Sequence, residues 1–452
     1  MRLSITGIMA LPPMKYADWV ILSIISVGSI AIYLLSTLAQ YLLAPAPGES
    51  MFWLLSLILN LIGYATIFLP GYYVIQYVRK TNYLETGPSS LLQPLVRLFV
   101  KGTESDLSEI EGSVLKGDSE SERAMAKTVY QEGMSLMFCT VGLLGSYSTW
   151  GYLQEKIMTT NYVDSLGNKG RFNDSQFLVF VNRILAFAIA LLVIMMRRQP
   201  RHKAPLFKYS YCSFSNIMSS WCQYEALKYV SFPTQVLAKA SKIIPVMLMG
   251  KVVSRKKYEY YEYVVAVLIS LGMVAFLMGN DDGKKADTVT TFSGFVILIG
   301  YMAFDAFTSN WQNELFSEYK MSSIQMMAGV NLFSCLLTSV SLLQQGVFYT
   351  SLMFMSQYSR FLLDCVILSI CSACGQLFIY HTISTFGAVV FVIIMTVRQV
   401  FAVVLSCIVF QHALAPIAII GIFIIFSALF LKIYCGYRLK MMMRNTTAGG
   451  KI

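Results

Sequence analysis

FPTQVLAKASKIIPVMLMG, residues 232–250, has the apolar length of a membrane-spanning helix, yet carries two lysines, Lys239 and Lys242, in its interior. A bilayer selects runs of this length because ~20 helical residues cross ~30 Å of hydrocarbon. A lysine at the centre of such a helix costs roughly 2.5–3.5 kcal/mol on insertion scales, so it belongs where it faces a polar cavity or can reach an interface. Gln235, Lys239 and Lys242 are spaced i, i+4, i+7 and share one helical face, while Val236, Leu237, Ile243, Ile244, Val246 and Met247 occupy the others. The stretch therefore reads as a helix with a narrow cationic stripe, and Pro245 is a candidate kink beyond it. Lys228 and Lys251 lie near segment ends and fit side chains that snorkel to the interface.

The rest of the chain supports a membrane setting. Of its 452 residues 56% are hydrophobic and only 13% charged, and the mean hydropathy is +0.60. Those values exclude an ordinary soluble domain. Twelve apolar runs are long enough to cross, near 19–43, 52–77, 133–153, 177–196, 208–229, 233–253, 262–279, 291–311, 323–344, 362–380, 387–410 and 414–434. The net charge of +11 then needs a place. Basic residues concentrate at 197–208, at 251–259 and in the tail after Lys432, all on one side of a twelve-segment arrangement. That side is expected to be cytosolic, with both termini on it. The charge thus has a topological cause, and nucleic acid is not an expected partner. The sequon Asn173-Asp174-Ser175 falls on the opposite side, where it could accept a glycan. The nine cysteines lie mostly in apolar runs and form no secreted framework; the CxxC of Cys371 and Cys374 has no partner pair, so no metal site is expected.

Five stretches follow. Residues 1–78 hold two N-terminal hydrophobic helices, the first a candidate signal anchor, since Ala44-Pro45-Ala46 faintly resembles a cleavage site. Residues 79–131, rich in Glu, Asp, Ser and Lys, read as a polar cytosolic linker. Residues 132–280 and 281–436 each hold five apolar segments, and 437–452 is a basic cytosolic tail. Because five is odd, two such sets lie in opposite orientations, the inverted-repeat plan of many transporters. A faint echo supports it: Gln223 and Ser231 match Gln376 and Ser384 at one offset, and a further shift of three residues sets Lys242 against Arg398.

Arg398 lies mid-segment beside Gln399, the other strong intramembrane charge. Two lysines and an arginine without a nearby acidic run call for an anionic ligand, and arginine's planar fork suits phosphate. Glu155, Glu225 and Asp305 are acids in or near the segments, read as gating, coupling or packing groups; Arg183 could pair with Glu225. Ser215, Ser219 and Gln223 form a polar stripe that could read a base or ribose, or simply join helices. Enzyme signatures are absent: none of His202, His381 and His412 opens a catalytic pattern, and no phosphate-cradling glycine loop occurs.

At this point the residues carry a resemblance. WCQYEALKYVSFPTQVLAKASKIIPVMLMGKVVSRKKYE at 221–259, YMAFDAFTSNWQNELFSEYK at 301–320 and IIMTVRQVFAVVLSC at 393–407 resemble the nucleotide-sugar transporter family, within the drug/metabolite transporter superfamily. The similarity reaches from about residue 60 to 436 and is weak in the linker and termini. It points to the branch that carries adenosine 3′-phosphate 5′-phosphosulfate, the activated sulfate donor. What the resemblance implies is an all-α polytopic protein with a ten-helix core that works by alternating access. The expected activity is import of that donor from cytosol to Golgi lumen, in exchange for adenosine 3′,5′-bisphosphate, to supply sulfotransferases. Lys239, Lys242 and Arg398 match the family's phosphate-contacting positions, and Glu155 matches an acidic position with a gating or coupling role. The chain ends AGGKI without the dilysine of endoplasmic-reticulum relatives, which favours the Golgi. No cofactor is implied; membrane lipid is a partner, and a homodimer stays open. The alternatives are a UDP-sugar or ATP/ADP exchanger using the same cations, and a non-transporting membrane scaffold. The scaffold differs in expecting the cations to be sealed against acids such as Glu225 or Asp305.

Overall fold

Hydrocarbon offers a backbone no water to bond with, so each crossing segment has to satisfy its own N–H and C=O groups, and the helix does this within one segment. The computed structural model describes residues 15–42, 52–85, 90, 92–102, 129–163, 169–172, 174–196, 203–226, 229, 242–279, 292–409 and 416–449. Among them are fourteen helices and one two-stranded hairpin. The helices are α1 (Tyr16–Leu42), α2 (Phe52–Lys80), α3 (Gln93–Val100), α4 (Val129–Thr159), α5 (Ser175–Met196), α6 (Phe207–Ala226) and α7 (Ile243–Val253). They continue as α8 (Tyr260–Gly279), α9 (Phe292–Tyr319), α10 (Ser323–Gln344), α11 (Val347–Gln357), α12 (Ser359–Phe386), α13 (Ala388–Val409) and α14 (Pro416–Gly449). Strands β1 (Asn161–Val163) and β2 (Lys169–Arg171) pair antiparallel with Asn161 opposite Arg171.

Each of the twelve apolar runs coincides with a helix; for α7 the described part begins at Ile243. Six helices among the described residues are long and apolar enough to cross a membrane by length and composition, and parts of α7, α8 and α13 form shorter apolar helices. The chain is an all-α polytopic membrane protein. Helices α4, α6 and α9 fall in neither group because polar residues dilute their apolar runs, and α6 and α9 prove to carry polar side chains used inside the protein.

Two helices lie outside the twelve. The stretch 79–131, read as polar linker, opens with α3, whose Val96 and Val100 pack with Ile21, Val74, Val78 and Tyr83. Hydropathy over a long window misses eight amphipathic residues flanked by charge. Helix α11 was likewise too short to register.

The chain divides into two compact units. Unit one comprises 1–127, 148–213 and 324–374; unit two comprises 128–147, 214–323 and 375–452. Each draws on both five-segment sets, so compactness and the expected sets divide the chain differently.

In unit one the hairpin sits on an aromatic cluster of Tyr162, Phe172, Phe177, Tyr358 and Phe361, with the Phe172 and Phe361 centroids 4.6 Å apart. Asp364 anchors it, accepting from Lys156 Nζ at 3.0 Å and from the Tyr162 hydroxyl at 3.0 Å. The N-terminal pair α1–α2 is tied down as well. Buried Asp18 accepts from the Tyr83 and Ser90 hydroxyls and from the Lys15 backbone N–H at 2.8 Å. On α10, Gln344 Nε2 donates to Ser36 Oγ at 2.7 Å. The cleavage-like residues 44–46 and the sequon residue Asn173 lie outside the described residues. Unit one also holds a cavity of about 710 Å³ between α1, α2, α3, α6 and α10, whose lining includes no charged residue. A cavity so lined is no place for an anion.

In unit two the helices approach through glycine, as expected where lipid tails leave helices no hydrophobic reason to associate and close contact must supply the attraction. A Cβ on Gly421 of α14 would lie 2.4 Å from the Phe276 backbone nitrogen and 2.5 Å from the Gly272 carbonyl of α8. Helices α4 and α12 exchange glycine for aromatic reciprocally. A Cβ on Gly142 would come within 2.3 Å of the Phe378 ring, and one on Gly375 within 3.3 Å of the Tyr147 ring. Gly421→Val therefore overpacks a backbone contact and should cost about 1–3 kcal/mol. Thermal unfolding of the detergent-solubilised protein should show a clear drop for Gly421→Val and none for Gly436→Ala, whose Cβ meets open space.

Candidate functional site

Three of the charged residues expected inside the membrane, Lys242, Asp305 and Arg398, lie in unit two, on α7, α9 and α13. Helices α7 and α9 are registered by Asn310, whose Nδ2 donates to the Val246 carbonyl at 2.8 Å and to the Ala306 carbonyl of its own helix at 2.9 Å. Gly250 completes the seam, since a Cβ there would fall 2.9 Å from Asn310 Oδ1. One turn before Val246, Lys242 forms an ion pair with Asp305, little more than one turn before Asn310. Both contacts move the same way along the two helices, so α7 and α9 run parallel, as two helices separated by one crossing should. Pro245 falls in the first turn of the described α7, where its missing N–H removes no helical bond.

Helix α9 is held from a second side by α6. Ser215 Oγ donates to the Phe304 carbonyl at 2.6 Å and Ser219 Oγ reaches the Tyr301 carbonyl at 3.5 Å. These two serines join helices; of the two roles the stripe allowed, the structure gives them this one. Gln223, half-buried, stands one turn further on, and Glu225 is buried near the helix end. Arg183, in unit one, donates to Asn331 Oδ1 at 3.4 Å.

Arg398 on α13 is held differently from Lys242. Its guanidinium lies 5.6 Å from the centroid of the Tyr147 ring, within the ~6 Å reach of a cation–π contact. Its Nε is buried with no hydrogen-bond partner, and among the described residues no carboxylate lies within ion-pair distance of it. Helix α13 packs against both α7 and α9. The unit thus gathers the helices that bear Lys242, Asp305 and Arg398. Gln399 follows in α13 and Glu155 lies in the last turns of α4, while Gln235 and Lys239 lie outside the described residues. Lys251, in the last turn of α7, rests its ammonium 4.9 Å over the Tyr263 ring, which fits a chain reaching for the helix end.

The Lys242–Asp305 pair bears on the scaffold reading, which expects sealed cations. The two side chains keep 20% and 26% of their surface exposed, and Arg398 has a ring, not an acid, beneath it. Lys242 is therefore paired but not sealed. Tyr147 and Asn310 are positions of the candidate site that sequence reasoning did not assign. Asn310 lay inside the noted TSNWQ stretch, whereas nothing in the local sequence distinguishes Tyr147 from the other tyrosines.

A many-helix membrane protein with a lysine–carboxylate pair and an arginine on neighbouring helices has features expected of a solute transporter. Residues 135–436 match the UAA transporter family, and the chain belongs to that family. It is 50% identical over 416 residues to adenosine 3′-phospho 5′-phosphosulfate transporter 1 of Drosophila melanogaster, covering 91% of this chain and 89% of that protein. The Homo sapiens protein of that name is 50% identical over 398 residues, covering 88% of this chain and 90% of its own. The Caenorhabditis elegans protein is 40% identical over 399 residues, covering 86% and 94%.

Asn310→Ala removes the amide that joins α7 to α9, and with the Val246 carbonyl keeping its helical bond the loss is the net worth of a hydrogen bond, about 0.5–1.5 kcal/mol. A thermal-unfolding scan should place Asn310→Ala below the wild type. Ser220→Ala, which affects only an exposed bond to Asn216 in the same helix, should stay at wild type.

Proposed function

We propose that the protein carries adenosine 3′-phosphate 5′-phosphosulfate from the cytosol into the Golgi lumen by alternating-access exchange for adenosine 3′,5′-bisphosphate. The observation that carries this reading is the 50% identity, over about nine-tenths of the chain, to proteins named as transporters of that donor. The site's chemistry agrees with it. The donor is a multiply charged anion, and cations inside a membrane protein are what would hold it. A guanidinium with a free buried Nε suits a phosphoryl oxygen.

In this reading Lys239, Lys242 and Arg398 bind the anionic groups, with Gln235, Gln399 and Gln223 contributing polar contacts. Glu155, Glu225 and Asp305 serve gating or coupling. The transport core comprises α4 to α8 and then α9, α10, α12, α13 and α14 as two inverted five-helix sets, with α1 and α2 outside it. Both termini are cytosolic, on the grounds of the basic clusters at 197–208, 251–259 and the tail. Asn173 then faces the lumen as a glycan acceptor.

The test is counterflow in vesicles reconstituted with purified protein. Labelled donor should enter vesicles loaded with adenosine 3′,5′-bisphosphate. UDP-sugars and ATP should compete poorly; strong competition by either would favour the exchanger alternatives. Removing one charge-assisted contact costs about 1.5–3 kcal/mol, so Lys242→Ala and Arg398→Ala should each reduce uptake roughly 10- to 150-fold by the usual 1.4 kcal/mol per decade. Tyr147→Phe keeps the ring under the guanidinium and should retain most uptake, whereas Tyr147→Ala should not. Wild-type uptake by the Lys242→Ala/Arg398→Ala double variant would refute the assignment.

A further inference from the structure

We propose that Asp305 is a resident competitor for the transported anion: its carboxylate holds Lys242, and the substrate must displace it to bind. The inference rests on the reading of this site as anion-carrying and names how its charge is regulated.

The observations are geometric. Lys242 pairs with Asp305, yet both side chains remain partly exposed, at 20% and 26%, so the ammonium an anion would seek is already occupied and still accessible. The backbone around Asp305 is fixed on every side described. Phe304 and Tyr301 accept from α6 serines, Asn310 donates to α7, and the Asp305 carbonyl itself accepts from Ser309 Oγ at 3.1 Å. Helix α9 is therefore pinned on either side of the carboxylate. What remains free to change partners is the carboxylate, through its χ angles, and the long flexible lysine stem. Arg398 supplies the contrast: its charge rests on the Tyr147 ring, and among the described residues no acid pairs with it. The two cations thus differ, one paired with a carboxylate and one with a ring.

Arg398 can take the first phosphoryl group without disturbing anything, and a second group then competes with Asp305 for Lys242. A ligand bearing one negative charge has little advantage over the carboxylate already in place. One bearing several, anchored at Arg398, presents its second charge at high effective concentration and wins. The pair is a threshold that favours multiply charged anions. It also lowers affinity overall, which speeds release.

The contrary role is that Asp305 orients Lys242 toward substrate. The two roles predict opposite signs. Kd for adenosine 3′,5′-bisphosphate is measured with purified full-length protein in detergent. Asp305→Asn should bind about 10-fold tighter than wild type, equivalent to about 1.4 kcal/mol, and Asp305→Glu should restore wild-type affinity. Unchanged binding by Asp305→Asn overturns the proposal, and weaker binding overturns it in favour of orientation. Should Asp305→Asn not fold, Lys242→Ala and Lys242→Ala/Asp305→Asn carry the same test. An unpaired carboxylate repels the anion in the first and not in the second, so the double variant should bind at least ~3-fold tighter, since like charges disfavour each other at this range. Equal affinity in that pair overturns the proposal too. If the wild type binds no nucleotide at all, the transport reading itself fails, and this inference falls with it.

Discussion

An ammonium inside a membrane protein has few ways to be tolerated: it reaches an interface, meets a carboxylate, or faces a polar cavity. Lys242 does the second and keeps part of its side chain exposed, and much of unit two follows from that position. The pair requires α7 and α9 to run parallel in one register, and Asn310 and Gly250 fix that register from one side. It requires α9 to stay where it is when the pair opens, and the α6 serines fix it from the other. Loss of any of these bonds would not merely loosen packing; it would move one charge relative to its partner in a medium where Coulomb terms fall off slowly.

The same logic explains how helices that lipid would surround equally well are held together. Glycine lets backbones or rings approach, and serine or asparagine supplies a bond that hydrocarbon cannot replace. Gly421 against Gly272 does the first for α14 and α8, and Gly375 against Tyr147 does it for α12 and α4. The second contact has a further consequence. By seating Tyr147, Gly375 also sets the platform on which Arg398 rests. Packing and the candidate site share residues here, so a substitution chosen to probe one perturbs the other.

The positions of the helices that coincide with the twelve apolar runs were legible in the sequence because about twenty apolar residues are a strong and local signal. Lys242 and Arg398 stood out for the same reason, as charges where hydropathy forbids them. What was not legible depends on contacts between distant segments. Asp305 is sixty-three positions from Lys242, and nothing near either residue names the other. Tyr147 is further still from Arg398 and belongs to a chain rich in tyrosine. The serine stripe at 215 and 219 was open between ligand contact and helix joining until its acceptor carbonyls were located. Short elements escaped for a different reason. Helix α3 and hairpin β1–β2 depend on burial against neighbours, not on their own composition.

Under the proposed reading, cations matched to phosphoryl groups also account for exchange. The donor and its spent product share the nucleoside and both phosphorus positions, and differ in the sulfate that is transferred. A site that grips phosphate through Arg398 and Lys242 recognises what the two ligands have in common, so one site serves both directions. The charges support this as well. A phosphomonoester carries about −1.5 to −2 near pH 7, so the bisphosphate approaches about −4, close to the donor with its monoester and phosphosulfate. Swapping one for the other moves almost no net charge, and a membrane potential has little to act on. Concentration differences alone would then set the direction: donor made in one compartment, product left in the other. Recognition by sulfate would break this symmetry, because the product would lose its grip on the site and could not leave the lumen by the same route.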